Sequence, residues 1–414
     1  MMRKKSPIRL RRDGVPSMIG PSAGTERIIA LDIIRGFALL GIFLVNMPTF
    51  SGSEFAVYHG ADRWLRLLFD LFVQGKFYLI FSFLFGLGFY IFMSRAEQKG
   101  YGPGLFRRRL LALLLIGFLH LALLWRGDIL TLYAITGFLL PFFYRMRTET
   151  VRTWGLLLVL GYLLLILGLP ALIVAVIAYV RGGIDPSLGG PLYTQAEAAA
   201  SLHAFRTLSW PDWLAWHWRS EVWDSLSSQL SLLPVVLGMF LLGLAAGKSG
   251  LLHDVSAHRE RWRTIRSRCL AASIPLLAAI AAIYAAGAET GLSLVTFFLV
   301  YMSGFTLAFV YIASLALLLV DPVWQRRLRF LQPYGRMALT NYLTQTVLCV
   351  VLFLGFRLYG QVGLWQGTLL CLVIYPLQIA FSAFWLKRFR YGPAEWVWRK
   401  WTYGRLSPER KASR

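Results

Sequence analysis

Charge is what this chain has least of. Only 15% of its 414 residues are Asp, Glu, Lys or Arg, against about a quarter in soluble domains, which excludes an ordinary soluble globular protein. Acidic residues are scarcest, 20 against 43 basic ones, for a net charge of +23. In a soluble protein that surplus would point to nucleic acid, yet no basic, aromatic-bearing soluble domain is present to bind it. The basic residues fall instead in short loops between apolar runs, which fits membrane topology and anionic lipid. Cysteine is nearly absent. Cys269, Cys349 and Cys371 are odd in number, lie in or beside apolar runs and lack ligand spacing, which excludes a disulfide framework and a zinc site. His203, His217, His253 and His258 have neither ligand spacing nor a carboxylate cluster, so no metal is assigned. No internal repeat is visible, which leaves an inverted-repeat transporter without support.

What the chain has in abundance is apolar sequence, 57% of its residues, with a mean hydropathy of +0.58. About 20 such residues in a row cross a bilayer. Ten runs qualify as spans: 28–47, 65–93, 110–125, 129–144, 154–180, 230–246, 269–286, 292–320, 337–356 and 364–386. The second is longer than one span needs, so its first part is expected at the interface, with Gly75 and Lys76 marking entry. The loops after the second, fourth, sixth and eighth runs are Arg-rich and the others are not. That alternation places both termini in the cytoplasm. Residues 1–26 read as a disordered basic cytoplasmic tail before an uncleaved first span, because a cleavable signal has a shorter apolar core. Residues 27–403 then form one transmembrane helical domain, and 404–414 a second basic tail. The segment 181–228 is extracytoplasmic, and its Trp210, Trp213 and Trp216 recur near the helical period, as in a helix lying at the interface. The fold class is therefore all-α and polytopic, with about ten transmembrane helices.

Polar residues inside spans are costly and carry the functional signal. Span one, IIALDIIRGFALLGIFLVNM, holds Asp32 and Arg35 on one helical face near one end and Asn46 near the other. Arg35 suits phosphate, and the pair equally suits a buried bond that fixes helix register. In GKFYLIFSFLFGLG, Lys76 could meet a wet cavity, whereas Gly86 and Gly88 allow close helix approach. GFLHLALLWRGDILTLYA sets His120 near the outer end of span three and Asp128 at the start of span four. A carboxylate that orients an imidazole is a general-base arrangement, and it also serves to fasten a hairpin. In GRMALTNYLTQT, Asn341 and Gln345 fall one turn apart, as do Tyr342 and Thr346; such a stripe either bonds neighbouring helices or lines a substrate path. Near the C-terminus Glu395 follows Gly392-Pro393, placed to cap a short Trp-rich interfacial anchor. His59 stands in the first outer loop near Asp62.

In order, LDIIRGFALLGIFLVN, GKFYLIFSFLFG, GFLHLALLWRGDIL, GRMALTNYLTQT and GPAEWVWR resemble the YeiB-type bacterial inner-membrane proteins, grouped as domain of unknown function 418, from Arg27 to Tyr403. That group is similar to the wider transmembrane acyltransferase superfamily, and the resemblance implies a multi-pass protein of the bacterial inner membrane. It further implies an acyl group moved from a cytoplasmic acyl-CoA-like donor to an extracytoplasmic hydroxyl or amine on an envelope glycan or lipid. The O-acyltransferase branch has Arg and, eleven positions on, His; here Arg35 matches and the second position is Asn46. The heparan glucosaminide branch shares LD-x-x-RG and places its histidine in the following luminal loop, which points to His59. On this reading Arg35, Asp32 and Lys76 serve the donor, Asn341 and Gln345 line the path, and His120, oriented by Asp128, is the base. Asn46 stabilises the oxyanion, and acyl-CoA is a co-substrate with no resident cofactor. Two alternatives use the same residues differently: a transporter or flippase with His120 and Asp128 coupling protons, or a non-catalytic envelope partner that docks through 181–228.

Overall fold

The structure is a computed structural model that describes residues 29–183, 194–252 and 254–404. The expected N-terminal tail, His253, and all of the C-terminal tail but Gly404 lie outside the described residues. Every regular element among the described residues is helical, and each of the ten apolar runs falls on one or more helices. The early spans are α1 (Ile29–Ser51), α2 (Gly60–Phe72), α3 (Phe77–Gln98), α4 (Gly104–Leu123), and a fourth run broken into α5 (Leu130–Gly137) and α6 (Leu140–Tyr144). Next, α7 (Thr148–Gly161) continues through a π-helical stretch, Tyr162–Gly168, into α8 (Leu169–Val180). The tryptophan-rich segment folds as α9 (Gln195–Thr207), α10 (Trp210–His217) and α11 (Trp223–Ser231), the last two joined by π-helical Trp218–Val222. There follow α12 (Leu233–Lys248), α13 (Arg259–Ala285), α14 (Ser293–Leu318), α15 (Pro322–Arg327), α16 (Leu331–Arg336), α17 (Ala338–Val350), α18 (Leu364–Arg388) and α19 (Pro393–Tyr403).

Among the described residues seven helices are long and apolar enough to cross a bilayer unaided, and eight if Trp210–Ser231 and Leu233–Lys248, bent by 50°, count as one span. The other two runs fall short for visible reasons. The helix α4 opens with Arg107, Arg108 and Arg109, and the fourth run breaks between α5 and α6. The long second run breaks too. Gly75 turns the chain at φ +78°, a left-handed value that favours glycine, and separates amphipathic α2 from apolar α3.

Burial sorts the spans into centre and rim. In the most apolar stretch of α1, and in that of the α2–α3 run, 56% of residues are buried, whereas the figure is 17% for Thr148–Val180 and for α13, and 28% for α18. The rim helices turn Leu165, Ile166, Leu172, Ile274 and Leu377 outward to lipid. The centre is held by backbone-close crossings. A Cβ on Gly86 of α3 would lie 1.8 Å from the Phe240 carbonyl oxygen of α12, and one on Gly243 would lie 1.9 Å from that of Phe83. The same closeness joins α1 to α16, where a Cβ on Gly335 would lie 1.9 Å from the Asp32 carbonyl oxygen. Hydrocarbon gives helices little reason to associate by burial alone, so small residues that admit close packing carry the association.

Helix ends are closed by carboxylates from distant parts of the chain. Asp62 of α2 accepts from the Leu364 and Trp365 amides (3.2 and 2.8 Å) and caps α18. Arg63 bonds Glu289 in the loop before α14 (2.6 Å). Glu395 does not cap its own helix, as the sequence suggested. It reaches the first turn of α17 and accepts from the Leu339 and Thr340 amides (2.7 and 3.1 Å) and the Thr340 hydroxyl (2.5 Å). The residue ahead of α17 is Met337, which has no side-chain acceptor for those orphan amides.

The glycine crossings yield the first prediction. Gly86→Ala or Gly243→Ala should cost about 1–3 kcal/mol, as overpacking does, and lower the melting temperature in detergent by several degrees. Gly161→Ala, with nothing within 4 Å of its Cβ, should leave it unchanged or raised. Equal melting of all three variants would mean that the crossings are not close.

Candidate functional site

The tight hairpin between α4 and α5 sets the site. The α4 backbone ends where the Leu124 and Trp125 amides both donate to the His120 carbonyl (3.0 and 3.1 Å). Gly127 completes the turn, and Asp128 then fixes the start of α5 by accepting from the Thr131 amide through Oδ2 (2.7 Å). Its other oxygen, Oδ1, lies 2.8 Å from Nδ1 of His120. The second ring nitrogen, Nε2, lies 2.9 Å from the Thr346 hydroxyl of α17. Each of the three residues is at most 2% exposed. An ionised Asp128 requires the proton on Nδ1, and a neutral ring then accepts from the Thr346 O–H at Nε2. Carboxylate, imidazole and hydroxyl thus stand in the order of orienter, base and proton source. The rings of Tyr342 and Trp125 close over the imidazole at 5.2 and 6.2 Å.

Beside this cluster is a small cavity of about 60 Å³, lined by Asn46 of α1, Tyr78 of α3, Gly127, Ile129 and Tyr342. It has room for a few waters and for nothing the size of a substrate. Asn46 and the histidine cluster, separate in the sequence, therefore meet at one level of the bundle through Tyr342 and Gly127.

The other sequence-predicted residues lie elsewhere. Asp32 is buried and bonds Arg35 (3.2 Å), whose side chain is 29% exposed. Asn46 follows Arg35 by eleven positions of helix, about 16 Å of rise. Lys76 is wholly buried at the end of the α2–α3 turn, and Nζ donates to the Asp70 carbonyl (2.6 Å), with the Ser303 hydroxyl and Val300 carbonyl at 3.4 and 3.5 Å. The structure therefore seats it in a carbonyl cage away from His120. The stripe on α17 divides between two neighbours. Asn341 bonds Ser382 and the Tyr334 carbonyl (2.9 and 3.1 Å), and Gln345 bonds the Tyr334 hydroxyl and Gln378 (2.7 and 3.2 Å). Those two residues clasp α17 to α16 and α18, while Tyr342 and Thr346 face the histidine. His59 is exposed ahead of α2, and its side chain caps nothing.

Two features escaped the sequence reading. Thr346 was visible only as one member of a stripe. His217, for which no carboxylate was recognised, bonds Glu221 four residues on (Nδ1 to Oε2, 2.7 Å) and the Leu121 carbonyl through Nε2 (2.8 Å). The i,i+4 spacing was the available signal. Glu221 also faces Arg126 (3.5 Å), which is ion-paired with Glu54. This network docks the tryptophan-rich segment onto the hairpin. Trp213 is buried and stacks on His217 (4.9 Å), while Trp210 and Trp223 remain exposed.

Comparison with known proteins accords with this architecture. Residues 246–405 match the family described as protein of unknown function (DUF418). The chain is 33% identical to the Bacillus subtilis (strain 168) protein called uncharacterized protein YxaH, over 96% of this chain and 100% of that one. It is also 33% identical to an uncharacterized 39.9 kDa protein from the amylase 3′ region of Bacillus acidopullulyticus, over 94% of this chain and 97% of that one. To uncharacterized protein YeiB of Escherichia coli (strain K12) it is 29% identical, over 92% and 98%. No solved structure matches. With one-third identity held along nearly the whole of both chains, this multi-pass helical membrane protein belongs to the DUF418 family.

Proposed function

We propose that the protein is a transmembrane acyltransferase of the bacterial inner membrane, moving an acyl group from a cytoplasmic acyl-CoA to a hydroxyl or amine on an extracytoplasmic glycan or lipid. The observation that carries this reading is His120, held at Nδ1 by Asp128 with a hydroxyl on Nε2. In the reaction an acceptor hydroxyl replaces Thr346 at Nε2 and gives its proton to the ring. The acceptor oxygen attacks the thioester carbonyl, the C–S bond breaks, and the departing thiolate takes the proton back from the imidazole. Asn46, on the wall of the adjoining cavity, donates to the developing oxyanion. Arg35, some three helical turns away on α1, holds the donor's phosphates. The cavity is too small to hold a donor and an acceptor together, so the wall formed by Tyr342 and Ile129 has to open for the two to meet.

One observation favours a second reading, a proton-coupled transporter: the His120–Asp128 pair is sealed from solvent, as in a carrier caught closed. Vesicles that accumulate a solute with no acyl donor present would replace transfer with transport.

His120→Gln retains a hydrogen-bonding group and removes the base. It should lower acyl transfer at least about 100-fold while melting within a few degrees of the parent. If the pair only fastens the hairpin, transfer will survive and melting will fall. Thr346→Val leaves Nε2 without its partner, which should cost about 1–3 kcal/mol of stability. In this mechanism Thr346 yields its place to the acceptor, so transfer should stay within about tenfold of the parent. An acyl adduct on Thr346, detected by peptide mass spectrometry, would show instead that Thr346 is a covalent nucleophile.

A further inference from the structure

Three arginines from three separate helices gather around one end of α3. Arg35 of α1 lies over Gly88, where an added Cβ would come within 3.6 Å of its guanidinium. One turn along α3, the Arg109 guanidinium of α4 lies over the Phe92 ring (5.3 Å) and over the Trp398 ring of α19 (3.8 Å). Phe92 also meets the Tyr403 ring (6.5 Å), and Arg399 of α19 lies over Tyr403 (5.1 Å) and Tyr391 (4.4 Å). The rings orient the guanidinium groups without neutralising them. Arg35 and Arg399 both repel Arg109.

Carboxylates do not make up the balance. Asp32 pairs with Arg35. Glu395, one turn before Arg399, has both oxygens engaged at the start of α17. Among the described residues neither Arg109 nor Arg399 has a carboxylate within salt-bridge distance, and the buried Arg399 Nε has no hydrogen-bond partner. Like charges held together in a half-buried place, with a donor left over, fit an anion that arrives from outside. Planar guanidinium forks are matched to phosphate oxygens.

We propose that Arg35, Arg109 and Arg399 form a binding site for a phosphate-bearing ligand at this end of the bundle. Two sources carry that chemistry: the phosphates of a soluble acyl-CoA and the headgroup of an anionic lipid. The acyl-CoA source rests on the acyl-transfer reading, whereas phosphate capture itself does not.

The test uses the purified full-length chain in detergent. Free CoA is titrated by calorimetry, and co-purified or added phosphatidylglycerol is followed by native mass spectrometry. Arg109→Gln, Arg399→Gln and the parent are compared, each with a melting curve. Saturable CoA binding, weakened about tenfold or more in each folded Gln variant, assigns the site to the soluble donor. No CoA binding, with bound phosphatidylglycerol lost in the variants, assigns it to lipid. Binding of neither ligand, or binding indifferent to both substitutions, overturns the site. If the variants fail to fold, parent affinity that does not fall on raising salt from about 0.05 to about 0.5 M overturns it equally. CoA binding without transfer to any acceptor would sink acyl transfer and leave this site standing. Transfer that persists in Arg109→Gln and Arg399→Gln, with unchanged CoA affinity, would do the reverse.

Discussion

A bilayer offers no water to a buried polar group, and so each ion or amide carried into this bundle has to meet a partner inside it. The structure is organised around that requirement. Asp32 meets Arg35, His120 meets Asp128 and Thr346, and Lys76 meets a ring of carbonyl and hydroxyl oxygens. Asn341 and Gln345 form a closed amide network with Gln378, Ser382 and Tyr334. The Asp32–Arg35 pair stays within α1, whereas the Thr346, Lys76 and amide contacts join helices far apart in sequence, so there polar satisfaction and tertiary packing are the same event. The glycine crossings supply the rest, bringing α3 against α12 and α1 against α16 at backbone distance.

The same constraint yields two polar levels. In α1 Asn46 follows Arg35 by eleven positions, and in α4 His120 follows Arg109 by eleven. Eleven residues are close to three whole turns, so each helix presents both groups on nearly one face, about 16 Å apart. Across α3 the two arginines share one level, around Gly88 and Phe92. At the other level Asn46 lines a cavity with Gly127 and Tyr342, beside His120. Between the two levels the bundle is packed with apolar side chains.

Much of this was legible before the structure. Long apolar runs are the strongest signal a sequence carries, and all ten are helical, although among the described residues only seven, or eight with the bent pair, are long and apolar enough to cross a bilayer unaided. The Asp32–Arg35 and His120–Asp128 pairs are local, three and eight residues apart, so spacing alone brought each into view. Long-range partners were not visible. Thr346 lies 226 positions from His120, and Glu395 lies 56 from the amide it caps. Hydropathy does not say which helix neighbours which, and so the stripe on α17 could not be divided into the half that clasps α18 and the half that faces His120. Gly86 was legible as a point of close approach, but its partner on α12 was not. His217 and Glu221 stand at i,i+4 spacing, which signals a helical ion pair and carries no metal-ligand pattern.

The uneven burial of the spans has a consequence for handling the protein. Thr148–Val180, α13 and α18 present most of their apolar side chains outward, while α1 and α3 are walled in by other helices. For the rim helices the acyl chains around them are the solvent, and the leucines and isoleucines they turn outward, such as Leu165, Ile274 and Leu377, are packed chiefly by lipid. Exchanging one aliphatic residue for another there alters little. Exchanging the amphiphile alters all of it at once, because a shorter detergent tail leaves the same outward faces thinly covered. Durability in solution should therefore track amphiphile chain length more closely than most single substitutions on the rim.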